Sequence, residues 1–382
     1  MMKHIYVDAN GTYPVAPKHY DDIATRLKLA DGNPSSIHAP GRNAKIALED
    51  ARSAVAKLIG ANAQEIIFTS GATEANNMVL SGIASTHKNG PLPKVIVTAA
   101  EHSAVIETAK ALAQRGLCDL AIAPVLPSGA VDTEKLLTMV TSDTALVALI
   151  AANNETGVLN PLVELIAQIK KRNPLTHVHT DAVQLLGKTN LTWLGQSGVN
   201  SAAFSGHKLG AFKGTGALFL KRGTRLHPFV TGGGQERGRR AGTENMPGII
   251  SFGLRCAETL GQEVAFATRM RQLRDLWLQV LSKIPDAAVH GSGADSLPNT
   301  VNFHIEGIAG DDILLNFDLA NIYASSGSAC SSSVARPSHV LLAMGYSEWI
   351  ALNSVRISFT AENDADDIAL MAHVLQQVIE RK

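Results

Sequence analysis

The 382-residue sequence lacks a long apolar run. Its longest, residues 145–152, has the length of a buried strand and falls far short of a bilayer span. No membrane-spanning helix is expected. It lacks a charge excess of either sign, with 34 Lys plus Arg against 34 Asp plus Glu. Nucleic-acid proteins usually carry a basic excess or stripe, so direct nucleic-acid binding is not expected. Cysteine is scarce. Cys118, Cys256 and Cys330 form neither a Cys-x-x-Cys pair nor an even-numbered disulfide framework, which fits reduced thiols. Residues 1–6 contain no apolar region of a secretory signal, and the expected location is the cytoplasm. No internal repeat is visible.

What is present is a regular alternation. Segments 65–69, 94–98, 145–151, 177–180, 202–205 and 216–221 read as strands, with helical patterns between most of them. That order implies a mostly parallel sheet with helices on both faces. Residues 43–59 read as an amphipathic helix, with Ile46, Val55 and Ile59 on one face and Gly60 as its stop. After about Gly248 the pattern becomes α+β, with helices at 269–281, 312–318 and from Asp364. The expected fold class is therefore α/β. A large domain, 13–250, holds the parallel sheet. A smaller α+β domain takes 251–382 together with 1–12.

In open parallel sheets ligands bind beyond the carboxyl ends of the strands, so the polar residues there are the candidates. After 66–69 comes Ser70-Gly71-Ala72-Thr73-Glu74, either an anion-binding helix start or a plain cap by Ser70 or Thr73. After 95–98 come Glu101-His102-Ser103. After 146–151 come Asn153-Asn154-Glu155. After 177–180 come Asp181 and Gln184, with no second carboxylate nearby to suggest a metal. After 202–204 come Ser205-Gly206-His207-Lys208. The run Lys213-Gly214-Thr215-Gly216 does not complete a Walker A pattern. Together the strand ends offer an anion cradle, a carboxylate and a lysine. Pyridoxal phosphate needs that set: an amine for an imine, a carboxylate for the pyridine nitrogen, and donors for phosphate.

Five runs resemble the cysteine desulfurases, of the class V aminotransferase group of fold-type I pyridoxal-phosphate enzymes. They are Gly32-Asn33-Pro34-Ser35-Ser36-Ile37-His38, Ser70-Gly71-Ala72-Thr73-Glu74-Ala75-Asn76, Ser205-Gly206-His207-Lys208, Gly232-Gly233-Gly234-Gln235-Glu236-Arg237 and Ser325-Ser326-Gly327-Ser328-Ala329-Cys330. The resemblance spans 6–358, in order and at compatible spacings. It implies a homodimer that removes sulfur from L-cysteine, leaving L-alanine and a persulfide on Cys330. The sulfur would pass to an acceptor protein of iron–sulfur cluster assembly or another thiolation pathway. Lys208 would carry the cofactor, Asp181 pair with its ring nitrogen, and Gln184 donate to its phenolic oxygen. His102 would stack on the ring and move a proton. Ala72, Thr73, Ser205 and His207 would hold the phosphate, with Thr243 reaching that of the other subunit. Asn154 would line the cofactor site and, with Arg356, hold the substrate carboxylate. Cys118 and Cys256, in helical patterns, read as buried structural thiols.

Three positions depart from the family. Gly11 and Tyr13 stand where Ala and Thr are usual, and are expected to alter the substrate mouth. Arg336 stands where an acidic residue is common, which bears on partner recognition. Two rivals lack a use for part of this set. An aminotransferase of the same class would not need Cys330. A non-catalytic relay protein would not need Lys208 or Asp181.

Overall fold

The structure is a computed structural model that describes residues 3–85, 91–327 and 336–381. The chain opens with β1 (Ile5–Tyr6), α1 (Pro17–Leu29) and α2 (Ala39–Leu58). Strands and helices then alternate: β2 (Ile66–Thr69), α3 (Ala72–Ala84), β3 (Lys94–Thr98), α4 (Ser103–Gln114), β4 (Asp119–Ala123), α5 (Thr133–Met139), β5 (Thr144–Ile150), α6 (Leu162–Arg172) and β6 (His177–Asp181). Next come β7 (Ser201–Ser205), β8 (Gly216–Leu220), α7 (Met246–Thr259), α8 (Glu263–Leu281), β9 (Ala287–Val289) and β10 (Thr300–Ile305). The remainder is α9 (Gly310–Leu319), β11 (Ile322–Tyr323), β12 (Ser325–Ser326), α10 (His339–Ala343), α11 (Glu348–Asn353), β13 (Val355–Ser358) and α12 (Ala365–Glu380).

Seven strands form the large sheet in the order β2-β8-β7-β6-β5-β3-β4. Only β8 runs against its neighbours, β2 and β7. The sheet is apolar on both faces because helices cover both. Along β5, Val147 and Leu149 enter the core beneath α2, α6 and α7, while Leu146 and Ala148 enter the core beneath α3 and α4. The parallel arrangement brings the carboxyl ends of β2, β3, β5, β6 and β7 to one edge.

The second sheet is antiparallel, β12-β13-β10-β9. Trp277 of α8, Phe303 of β10, Ile357 of β13 and Met371 of α12 share its core. Near the start of the chain, β1 pairs with β11, and Ile5 and Val7 are buried in that core.

Three local readings change. The α2 face that faces the core is Ala44, Leu48, Ala51 and Val55, while Ile46 is 60% exposed. Gly253 lets α7 approach α2, because a Cβ there would lie 2.5 Å from Ala51 Cα. The division at 250 passes through α7, whose Phe252 and Cys256 are fully buried in the large core. Cys118 is buried as expected but lies between α4 and β4, outside any helix. Among the described residues no helix is long and apolar enough to cross a membrane.

Candidate active site

An open cavity of about 610 Å3 lies at the edge where the parallel strands end. It is lined by Ala72, Thr73, His102, Asn154, Asp181, Gln184, Ser205, His207, Lys208 and Arg356. The structure therefore brings together every expected site residue except two. Thr243 is exposed and does not line this cavity. Cys330 lies outside the described residues.

Asp181 ends β6 and is buried. Its Oδ2 accepts from Asn76 Nδ2 at 2.8 Å, and its Oδ1 accepts from the Val183 amide at 3.2 Å. Asn76 is itself tied to His179 Nε2 at 2.8 Å, and His179 Nδ1 to Ser201 Oγ at 2.8 Å. Burial pushes His179 down to about 4, so its ring is neutral and can bridge an amide and a hydroxyl. This buried chain fixes the direction of the carboxylate.

The α3 N-terminus takes neither of the side-chain caps considered for it. Gly71 is the N-cap residue and offers no side chain, so the first N–H groups of a 13-residue helix face the cavity, where an anion is favoured. Glu74 is instead used by Arg240, at 2.8 and 3.2 Å, and by the Ser70 amide. Ser205 is buried at the end of β7. His207 pairs with Thr12 Oγ1 at 3.1 Å and is pushed down to about 4 by burial, then by Lys208 and Lys213.

Lys208 Nζ donates to the carbonyls of Asn10 and Gly11 at 2.6 and 2.7 Å. His102 is the N-cap of α4, its Nδ1 accepting from the Ala104 amide at 3.1 Å. Gln184 Nε2 already donates to the Asn10 carbonyl at 3.1 Å, so one of its two N–H groups is committed. Arg356, on β13 and only 3% exposed, donates Nη2 to Asp8 Oδ1 at 2.6 Å and Nη1 to the Asn154 carbonyl at 3.2 Å. Its buried Nε has no hydrogen-bond partner among the described residues, which leaves donor capacity for an incoming carboxylate.

These residues fit pyridoxal phosphate as a set. An uncapped helix start beside Ser205 and His207 suits a phosphate. A buried carboxylate held on one side suits a pyridinium. A lysine amine lies at the same cavity wall.

The departures separate. Gly11 lines the cavity, as expected for the mouth. Tyr13 does not. Its hydroxyl accepts from the Ala361 amide at 2.9 Å, and its ring faces a smaller cavity of about 150 Å3 on the other side of Lys208. Arg336 is exposed and lines a third cavity, about 300 Å3, that shares His102 and Asn154 with the first.

Three residues escaped the sequence reading, and Glu101, quoted there after 95–98, was given no role. Asn76 lay inside a quoted motif but carried no signal of its own, and Asn10 stands just before Gly11. Lys188 lies four residues after Gln184 and is 2% exposed. Glu101 is fully buried, accepting at Oε1 from Thr98 Oγ1 and the Ile150 amide. Burial, and then the Asp181 charge, push its carboxyl up to about 8.

The family profile described as Aminotransferase class-V matches residues 5–371. The chain is similar to "Cysteine desulfurase IscS" of Dictyoglomus turgidum, 38% identical over 383 residues, covering 100% of this chain and 96% of that protein. A solved "NifS-like protein" superposes with a TM-score of 0.92 at 33% identity, covering both chains completely. A structure titled "SspA in complex with cysteine" has a TM-score of 0.81 at 27% identity, covering 93% of this chain and 98% of that one.

Proposed function

The chain belongs to the class-V aminotransferase family and is a cysteine desulfurase, and from that premise we propose how its residues divide the work. One observation carries the reading: Lys208, Asp181 and the uncapped start of α3 line a single cavity. Lys208 carries pyridoxal phosphate. When bound, that cofactor supplies an electron sink for the pair left at Cα on loss of its proton. Asp181, aimed by Asn76, holds the charge of the ring nitrogen. The amides of Ala72 and Thr73, with Ser205 and His207, hold the phosphate. Gln184 spends its second N–H on the phenolic oxygen.

Arg356 and Asn154 take the carboxylate of L-cysteine. A guanidinium suits this because its planar fork matches a carboxylate. His102 moves the proton. The Cys330 thiolate then attacks the substrate sulfur. A sulfur–sulfur bond forms as the substrate's carbon–sulfur bond breaks, and protonation of the carbon leaves alanine. The persulfide passes to an acceptor protein. We place the enzyme in the cytoplasm as a homodimer, with Thr243 serving the phosphate of the partner subunit.

The test is chemical. Wild-type protein given L-cysteine and a thiol reductant releases alanine and sulfide in equal amounts. Cys330→Ser loses both while keeping the visible absorbance of the cofactor. Alanine release by Cys330→Ser at the wild-type rate overturns the assignment of the nucleophile.

A further inference from the structure

Lys188 has no part in the chemistry above, yet it is buried beside it. Its Nζ donates to Asn10 Oδ1 and Gln184 Oε1, each at 2.6 Å. Among the described residues no carboxylate pairs with it. A buried amine with only neutral acceptors is costly, and burial, with Lys208 and Arg356 nearby, pulls its proton affinity well down.

What Lys188 secures is the orientation of two amides. A flipped Asn10 or Gln184 would turn an NH2 group toward a donor. With its oxygen held by Lys188, Asn10 gives Nδ2 to Thr300 Oγ1 at 2.9 Å and to the Asn154 carbonyl at 3.2 Å. Gln184 likewise gives Nε2 to the Asn10 carbonyl. That same carbonyl receives Lys208 Nζ at 2.6 Å. Asn10 thus meets one lysine through its side chain and the other through its backbone.

We propose that Lys188 is a positioning residue: its buried amine fixes the amides of Asn10 and Gln184, so that Gln184 presents N–H to the cavity and Asn10 presents its backbone carbonyl to Lys208. The inference rests on Lys208 being the cofactor-carrying lysine. A donor aimed at the phenolic oxygen draws electron density from the linkage. That withdrawal lowers the proton affinity of the Lys208 nitrogen.

Other titratable groups face the two amines. Asp8, Glu74, His102, Asp181 and Arg356 line the main cavity with Lys208, as do His207 and Lys213 on its own loop. Tyr13, Arg255 and Glu258 face them across the smaller cavity. All are common to wild type and a Lys188 variant, so the difference between the two reports Lys188.

The experiment follows the pH midpoint of the visible absorbance of the cofactor-loaded full-length protein. Lys188→Met raises the midpoint by about one unit, a tenfold change in proton affinity, and Lys188→Arg moves it back toward wild type. An unchanged midpoint with a lowered melting temperature overturns the proposal, since a merely structural lysine would act on melting alone. A second variant reads the same link from its other end. Gln184→Leu removes the amide that Lys188 aims and raises the midpoint as Lys188→Met does. An unchanged midpoint in Gln184→Leu overturns the proposal. Lys208→Ala is the separate control. A cofactor label fixed by borohydride that survives in Lys208→Ala refutes the carrier lysine, whereas its loss leaves only the Lys188 inference under test.

Discussion

Gly11→Ala is the substitution whose effect the geometry defines best. A Cβ at Gly11 would lie 2.7 Å from Asp8 Cγ and 2.8 Å from Oδ1, well inside van der Waals contact. The backbone of Gly11 is not in the left-handed region, and the three atoms nearest the added methyl all belong to Asp8. The Asp8 carboxylate has to rotate away, and Arg356 loses the Oδ1 contact at 2.6 Å. A hydrogen bond to a charged group contributes about 1.5–3 kcal/mol. Arg356 is buried but the Asp8 side chain is 25% exposed. Solvent therefore screens part of that value, leaving about 1–2 kcal/mol. Urea unfolding of the full-length chain should read that loss. The control is a double-mutant cycle. In an Asp8→Ala background the methyl meets no carboxylate, and Gly11→Ala should cost less than about 0.5 kcal/mol. Equal costs in both backgrounds would refute the reasoning. Releasing Arg356 from its internal anion also makes it more available to the substrate carboxylate, so KM for L-cysteine should fall severalfold in Gly11→Ala.

Three further perturbations have defined outcomes. Glu101 keeps its proton up to about pH 8 in the fold, against an ordinary value of 4.5. The folded state then binds more protons than the unfolded state between those values, and stability falls as pH rises across that window. Glu101→Gln should remove that slope, seen as a pH-dependent difference in melting between variant and wild type; a parallel pair of curves would contradict it. Asn76→Ala frees Asp181 Oδ2 and should weaken cofactor binding on the order of tenfold in an absorbance titration, roughly one lost charge-assisted hydrogen bond. Glu236→Gln takes away the buried charge partner of Arg52, both side chains being almost fully buried, and leaves it only the exposed Glu49. It should cost about 3–5 kcal/mol in unfolding.

How much of this was legible depended on whether the signal was local. The segment 94–98 matches β3 to the residue, because a run of β-branched residues between turn signals has few other uses. β4 was not seen. Its Asp-Leu-Ala-Ile-Ala has little β-branching and lies at the sheet edge, half exposed. α1 was missed because it buries only His19 and Ile23, too sparse a stripe to stand out. The carboxyl-end rule found Asp181, Ser205 and Lys208, since each directly follows a readable strand. It could not find Lys188 or Asn10. Their meaning lies in contacts across 174 to 198 residues, which a pattern read along the chain does not contain. Tyr13 is the instructive miss. Its place beside Gly11 suggested the same cavity, yet the two residues face different ones.

The meeting of Asp8 with Arg356 spans 348 residues, and β1 waits for β11 before it has a partner. Synthesis runs in the opposite sense to that assembly. A ribosome has already delivered Asp181 and Lys208 when most of the second sheet is still missing. Through that interval Ile5 and Val7, both buried in the finished fold, have no core to enter. Residues 5–7 are then an exposed apolar stretch on a growing chain. The cavity wall made by Asp8 and Arg356 closes only after translation has passed β13.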